Sequence, residues 1–180
     1  MLTPNRDVDK IMAELEAEIG RLIREYQAKT GKSLTIGTVE SATGGRIADR
    51  ITNVPGSSDY FKGSVVAYSN EVKMALLGVK KETIENYGAV SEQTALEMAQ
   101  GGRKVLDVDI CVSDTGIAGP SGATPEKPVG LFYLSLAAED ESLSQKHDFP
   151  GNREETKRDA AETALNMLKQ YLLRCIKAKG

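Results

Sequence analysis

Thr35-Ile36-Gly37-Thr38-Val39-Glu40-Ser41-Ala42-Thr43-Gly44-Gly45-Arg46 decides the fold. Its first half is an apolar strand pattern, a hydroxyl-rich turn with paired glycines follows, and from Arg46 the spacing becomes helical. A strand passing through a tight turn into a helix is the opening step of an α/β domain. Such a turn offers an exposed hydroxyl and free backbone N–H groups at a helix N-terminus. That suits either a nucleophile with an oxyanion site or a phosphate cradle, so an enzyme is expected rather than a scaffold.

Outward from this stretch, helices and strands alternate. Upstream, Ile11, Met12, Leu15, Ile19, Leu22 and Ile23 recur at three-and-four spacing and predict a helix from Asp7 to about Lys29, closed by Gly31. Its apolar face covers its own sheet or offers a partner surface. Downstream, strands are predicted at 33–40, 62–68, 110–115, 129–138 and 144–149. Helices are predicted at 46–52, 71–77, 81–86, 92–106, capped by Ser91, and 154–177. This is the pattern of one domain over 1–180, a three-layer α/β/α sandwich with a largely parallel sheet and an antiparallel pair near the C-terminal end. Ligands in such folds collect beyond the carboxyl ends of the strands. The loops after the Thr35, Val65 and Ile110 strands should therefore converge.

Composition narrows the chemistry. The 180 residues carry a formal net charge of -3 with 40% hydrophobic residues, enough for a full core and without a field that would gather nucleic acid or an anionic membrane. No apolar run resembles a signal peptide or a membrane span, which predicts a cytoplasmic location. Two cysteines, Cys111 in a strand pattern and Cys175 on the last helix, suggest buried thiols rather than a disulfide framework or a zinc cluster. The single histidine, His147, leaves no His-Glu-x-x-His set, so no metal site is expected. With so little histidine, a serine nucleophile would more naturally use lysine as its base.

Ser41 is the candidate nucleophile, with Thr43, Gly44 and Gly45 turning backbone amides toward a small anion; a glycine turn with a serine cap is the plainer alternative. In Tyr68-Ser69-Asn70-Glu71-Val72-Lys73, Asn70 is expected to cap a helix and put Lys73 in its first turn. There a cation opposes the helix dipole, so its pKa should fall, as a neutral lysine base requires. Tyr68, just before the cap, could relay a proton or orient a substrate. Ser58 in Pro55-Gly56-Ser57-Ser58 becomes a contact only if its loop folds over the same strand ends. The long loop Thr115-Gly116-Ile117-Ala118-Gly119-Pro120 through Gly130 offers Thr115, Gly116 and Gly119 as donors to a ribose or phosphate. Arg153, at the entry of the last helix, runs against the dipole's preference, which a bound anion would explain; pairing with Glu154 or Glu155 is the alternative.

Taken together, Glu40-Ser41-Ala42-Thr43-Gly44-Gly45, Pro55-Gly56-Ser57-Ser58, Tyr68-Ser69-Asn70-Glu71-Val72-Lys73, Gly88-Ala89-Val90-Ser91, Thr115-Gly116-Ile117-Ala118-Gly119-Pro120 and Glu126-Lys127-Pro128-Val129-Gly130 closely resemble the CinA C-terminal domain family. That family includes stand-alone nicotinamide mononucleotide deamidases. The resemblance runs from about Leu15 to Leu173. It implies an α/β/α domain, usually a homodimer or higher homo-oligomer, that hydrolyses the carboxamide of nicotinamide mononucleotide to nicotinate mononucleotide and ammonia without a cofactor. It places the nucleophile on Ser41 and the base on Lys73, with Ser58, Tyr68, Thr115 and Arg153 in binding or support. Where the family usually has cysteine, this chain has Ala42, which argues against an essential thiol. A nucleotide-binding or regulatory domain that keeps the pocket without catalysis is the rival reading. A hydrolase of another amide or of a nucleotide pyrophosphate is a second.

Overall fold

The computed structural model describes residues 6–179, with side chains from residue 14 onward. Helix α1 (Arg6–Thr30) leads into β1 (Ile36–Glu40) and α2 (Arg46–Thr52); a 3-10 turn over 57–59 precedes β2 (Phe61–Val66). Then come α3 (Asn70–Leu77), α4 (Lys81–Tyr87), α5 (Glu92–Val105), β3 (Ile110–Gly116), β4 (Leu131–Ala137), β5 (Ser142–Asp148) and α6 (Arg153–Lys177).

The five strands form one mixed sheet in the order β2-β1-β3-β4-β5. β1 is parallel to β2 and β3, β4 is antiparallel to β3, and β5 is antiparallel to β4. β4 therefore opposes the other strands. The expectation of a mostly parallel sheet holds for strand direction, whereas the ladders divide evenly between the two kinds.

The alternation along β3 shows how the layers are assigned. Ile110 and Val112 join the larger core with Leu15, Ile19, Leu22 and Ile23 of α1, Ile47 and Ile51 of α2 and Leu165 and Leu168 of α6. Cys111 points the other way, with Val39 of β1 and Met98 of α5, into the smaller core. Period-two alternation in a strand buried on both faces produces this division. The face of α1 thus packs within the chain at Leu15–Ile23; Ile11 and Met12 lie outside the residues whose side chains are described.

Parallel pairing brings the strand ends into line. Glu40 at the end of β1 lies opposite Val66 at the end of β2, and Val39 lies opposite Ser113 of β3. The segments that leave these strands consequently emerge on one rim of the sheet.

Candidate active site

Ser41 follows β1 directly, and the turn after it is closed by Gly45, which serves as N-cap of α2 with φ 97, a left-handed conformation that favours glycine. No side chain at the cap position bonds the first turn of α2. Glu40 does so from the strand: it accepts hydrogen bonds from the Gly45 amide (2.8 Å), the Ile47 amide (3.0 Å) and the Ala48 amide (2.8 Å). A fully buried carboxylate thus fills the helix N-terminus that the sequence offers to an external anion.

Asp114 of β3 occupies the remaining amides. It accepts from Ser41 (3.1 Å), Ala42 (2.8 Å) and Thr43 (3.2 Å), and it bonds the Thr43 hydroxyl. This corrects the expectation of an amide cradle over Ser41–Gly45. Only the Gly44 amide lacks an acceptor among the described residues, and Thr43, Gly44 and Gly45 do not line the cleft. The two internal carboxylates are the physical reason, since charged acceptors held at contact distance outcompete a dissolved anion.

Helix α3 delivers the amine. Its N-cap is Ser69, whose hydroxyl accepts from the Val72 amide at 3.3 Å, one residue earlier than the Asn70 expected from sequence. Lys73 is 1% exposed, and its Nζ donates to the carbonyls of Ala67 (2.8 Å) and Tyr68 (3.3 Å). The same Nζ lies 3.1 Å from Ser41 Oγ. Two carbonyls plus one hydroxyl match a neutral amine, with two N–H donors and one lone pair, as well as they match an ammonium. Burial lowers the Lys73 pKa, and the charge of Asp114 raises it. The depression expected from sequence is present, but desolvation rather than the helix dipole causes it.

These groups floor a cleft of about 330 Å³. Ser41, Lys73, Tyr68, Thr115, Gly116, Gly119 and Arg153 all line it, from loops far apart in the chain. Tyr68 is 63% exposed and its hydroxyl accepts from Arg153 Nη2 at 3.1 Å, which places the phenol at the mouth beside the guanidinium. Arg153 Nη1 donates to the Gly119 carbonyl at 2.7 Å. The alternative pairing with Glu154 or Glu155 does not form: Glu154 bonds Arg46, and Glu155 completes the capping box of Asn152 that starts α6. The Thr115 hydroxyl donates to the Ala89 carbonyl at 2.8 Å, tying the 88–91 segment to the cleft wall.

One sequence candidate falls elsewhere. Ser58 sits in the 3-10 turn that enters β2, at the opposite end of that strand from Tyr68, and does not line the cleft. His147 stacks on Phe149 on the edge strand β5. Cys111 is buried, with its thiol pushed up to about 12 by that burial, and Cys175 is partly buried. Among the described residues no group of three or more metal-ligating side chains gathers, and no helix is long and apolar enough to cross a membrane. Sequence reasoning assigned no role to Asp114 or Glu40. The signal was available: a carboxylate inside the apolar run Ile110-Cys111-Val112-Ser113-Asp114 is seldom buried without a purpose.

The profile of the CinA C-terminal domain matches residues 14–172. The chain belongs to the CinA C-terminal domain family. A putative competence-damage inducible protein of Halothermothrix orenii is 50% identical over 159 residues, covering 88% of this chain and 37% of that protein. A CinA-like protein of Syntrophomonas wolfei is 51% identical over 145 residues, or 81% of this chain and 34% of that protein. The chain thus spans about a third of the length of these curated relatives. Among solved structures, the competence/damage inducible protein CihA of Agrobacterium tumefaciens superposes with a TM-score of 0.80 at 38% identity, covering 88% of this chain and 94% of its own. A CinA superfamily protein of Klebsiella pneumoniae gives 0.83 at 26%, covering 91% and 98%. This CinA-type α/β fold, with its five-stranded mixed sheet, is therefore shared.

Proposed function

We propose that this CinA-family chain is an amidohydrolase that converts nicotinamide mononucleotide to nicotinate mononucleotide and ammonia through Ser41 and Lys73. The observation that carries the reading is the 3.1 Å approach of a buried lysine amine to a serine hydroxyl on the floor of an open cleft. A serine hydroxyl is a weak nucleophile until a neighbouring base takes its proton, and a desolvated amine can be that base. The motif resemblance supplies the substrate.

In this mechanism neutral Lys73 accepts the Ser41 proton as Oγ attacks the carboxamide carbon. The tetrahedral intermediate then expels ammonia, protonated by Lys73, and leaves an acyl-serine ester. Water, deprotonated by the same amine, attacks that ester and releases the carboxylate. With the Ser41–Thr43 amides engaged by Asp114, the donors to the oxyanion come from the facing wall. The Ala118 and Gly119 amides border the cleft and have no acceptor within the chain among the described residues. Each such donor contributes about 3 kcal/mol in comparable sites. Arg153 and Tyr68, paired at the mouth, suit the anionic phosphate of a nucleotide.

The test is ammonia release from nicotinamide mononucleotide by the purified chain. Ser41→Ala and Lys73→Met should each lower kcat by at least about a thousandfold, as removal of a nucleophile or its base does elsewhere. Wild-type turnover in the Ser41→Ala variant would remove the mechanism. Binding without ammonia release in the unmodified chain would favour a nucleotide-binding domain.

A further inference from the structure

Two motifs of the chain have no part in the reaction above, and the fold brings them together. Gly88-Ala89-Val90-Ser91 joins α4 to α5, and its Ala89 and Val90 line the cleft. Glu126-Lys127-Pro128-Val129-Gly130 leads into β4. Lys127 crosses between them: its Nζ donates to the Tyr87 carbonyl at 2.5 Å and to the Val90 carbonyl at 2.7 Å. A lysine near the surface ordinarily points its charge into water. Here no carboxylate pairs with the ammonium among the described residues, and two of its three donors go to backbone carbonyls 40 and 37 positions away.

Every carbonyl from Tyr87 to Val90 is held by a side chain. The Gly88 oxygen lies 2.9 Å from the hydroxyls of both Ser91 and Thr94, and the Ala89 oxygen accepts from Thr115 Oγ1 at 2.8 Å. Of the amides, Gly88 bonds the Ile84 carbonyl at 2.9 Å, while those of Ala89 and Val90 have no acceptor within the chain among the described residues. Side chains, rather than a ladder or a helix, thus fix this stretch of the cleft wall, and Lys127 supplies the two outer holds. Gly88 makes room for it: with φ 83 it sits where glycine is favoured, and a Cβ there would stand 2.8 Å from Lys127 Nζ. The base of the lysine is anchored beside the start of β4. The Gly130 amide bonds the Ile117 carbonyl at 2.8 Å, and the Leu131 amide bonds the Pro128 carbonyl at 3.2 Å.

The consequence falls on Thr115. It lines the cleft near the end of β3, and its hydroxyl spends its one proton on Ala89. Toward a ligand that oxygen is an acceptor, not the donor expected from sequence. Where its lone pairs face depends on where the Ala89 carbonyl stands, and the holds on either side of Ala89 decide that. We propose that Lys127 is a positioning residue for ligand binding: by clamping the carbonyls of Tyr87 and Val90 it sets Ala89, and through Ala89 it aims the Thr115 oxygen at an N–H or O–H of the bound nucleotide. Lys127 itself does not line the cleft. The inference rests on the reading that the cleft takes nicotinamide mononucleotide, and half of its test needs neither ligand nor turnover.

Lys127→Met keeps the unbranched stem of the side chain and removes the ammonium. Dissociation constants for nicotinamide mononucleotide are measured by calorimetry on the Ser41→Ala protein, to exclude turnover, with Lys127→Met and Thr115→Val introduced singly and together. Lys127→Met should weaken binding about tenfold while Thr115 is present, and by less than about twofold once Thr115→Val has removed the acceptor it aims. Equal losses in the two backgrounds would make Lys127 a brace of the fold alone and overturn the proposal, as would a loss below about twofold with Thr115 in place. The second measurement uses the free protein. In Lys127→Met the 15N order parameters of the Ala89 and Val90 amides should drop from about 0.85, the value of rigid backbone, toward the roughly 0.6 of flexible segments, while those of β1 and β3 stay high. Unchanged order at Ala89 and Val90 also overturns the proposal. If the unmodified chain bound the mononucleotide but released no ammonia, the deamidase reading would fail while both measurements kept their meaning.

Discussion

Replacing Glu40 with glutamine perturbs the element that starts α2 and holds the Ser41 turn. Glu40 Oε2 accepts from Thr43 Oγ1, the Gly45 amide and the Ile47 amide, and Oε1 accepts from Thr38 Oγ1 and the Ala48 amide. The less damaging orientation of the glutamine keeps its oxygen at the Oε2 position and puts NH2 at Oε1. The Thr38 hydroxyl can rotate to accept from that NH2, but the Ala48 amide then faces a donor and loses its acceptor. An orphaned buried amide costs about 1–3 kcal/mol. The two remaining amide bonds lose their charge assistance, about 0.5 kcal/mol or more each. The sum is about 3 kcal/mol, and at about 2–4 °C per kcal/mol for a chain of this size Tm should fall by about 6–12 °C. Thermal unfolding followed by circular dichroism, repeated by calorimetry, reads this directly. A fall of less than about 2 °C would refute the assignment of Glu40 as the effective cap of α2.

Other outcomes follow from the same geometry. A Cβ added at Gly101 of α5 would stand 1.9 Å from the Leu77 carbonyl oxygen, so Gly101→Ala should cost about 2–3 kcal/mol in urea unfolding as α3 is forced outward; a loss below about 0.5 kcal/mol would count against that packing. Arg153→Ala removes the bonds to Gly119 and Tyr68 at the cleft mouth and should raise KM for the mononucleotide about tenfold, about 1.4 kcal/mol, with kcat within about twofold. An equal loss in kcat would contradict a binding role. Burial holds the Lys73 pKa below the ordinary 10.5, so between those two values the unfolded chain binds a proton that the folded chain lacks. Stability should therefore rise with pH across that window and level off above 10.5. Lys73→Met should flatten the rise in urea unfolding measured from neutral to alkaline pH, and an unchanged slope would argue against a buried, depressed amine.

The order of elements was legible because each carries a local signal. The repeat of Leu15, Ile19 and Leu22 is read on the helix that contains them, and Gly78 and Pro55 punctuate where they stand. The pairing of Ser41 with Lys73 was legible for a related reason: each sits at the exit of a neighbouring parallel strand, so strand order alone brings them to one rim. Ser58 fails on that same logic, since it precedes β2 instead of following it. The occupancy of the turn amides was not legible. It depends on Asp114 reaching across from β3, a contact between residues more than seventy positions apart that periodicity does not encode. The ladder count was hidden similarly: β3 returns as β4 without a helix between them, and alternating residues look alike in parallel and antiparallel strands.

That direct return has a design consequence. Because β4 doubles back on β3, residues 117–130 form an arch with both feet anchored in adjacent strands and no crossover helix to accommodate. Lys127 pins the arch by donating to the carbonyls of Tyr87 and Val90, while residues 120–126 at its crest stand exposed. Crest residues can be exchanged, lengthened or shortened without disturbing the ladder beneath, whereas Ser41 and Lys73 belong to other segments altogether. Of the crest only Ser121 and Gly122 line the cleft, so a graft confined to 120–126 changes the rim of the cleft while the Ser41 and Lys73 side chains keep their supports in β1, β3 and α3.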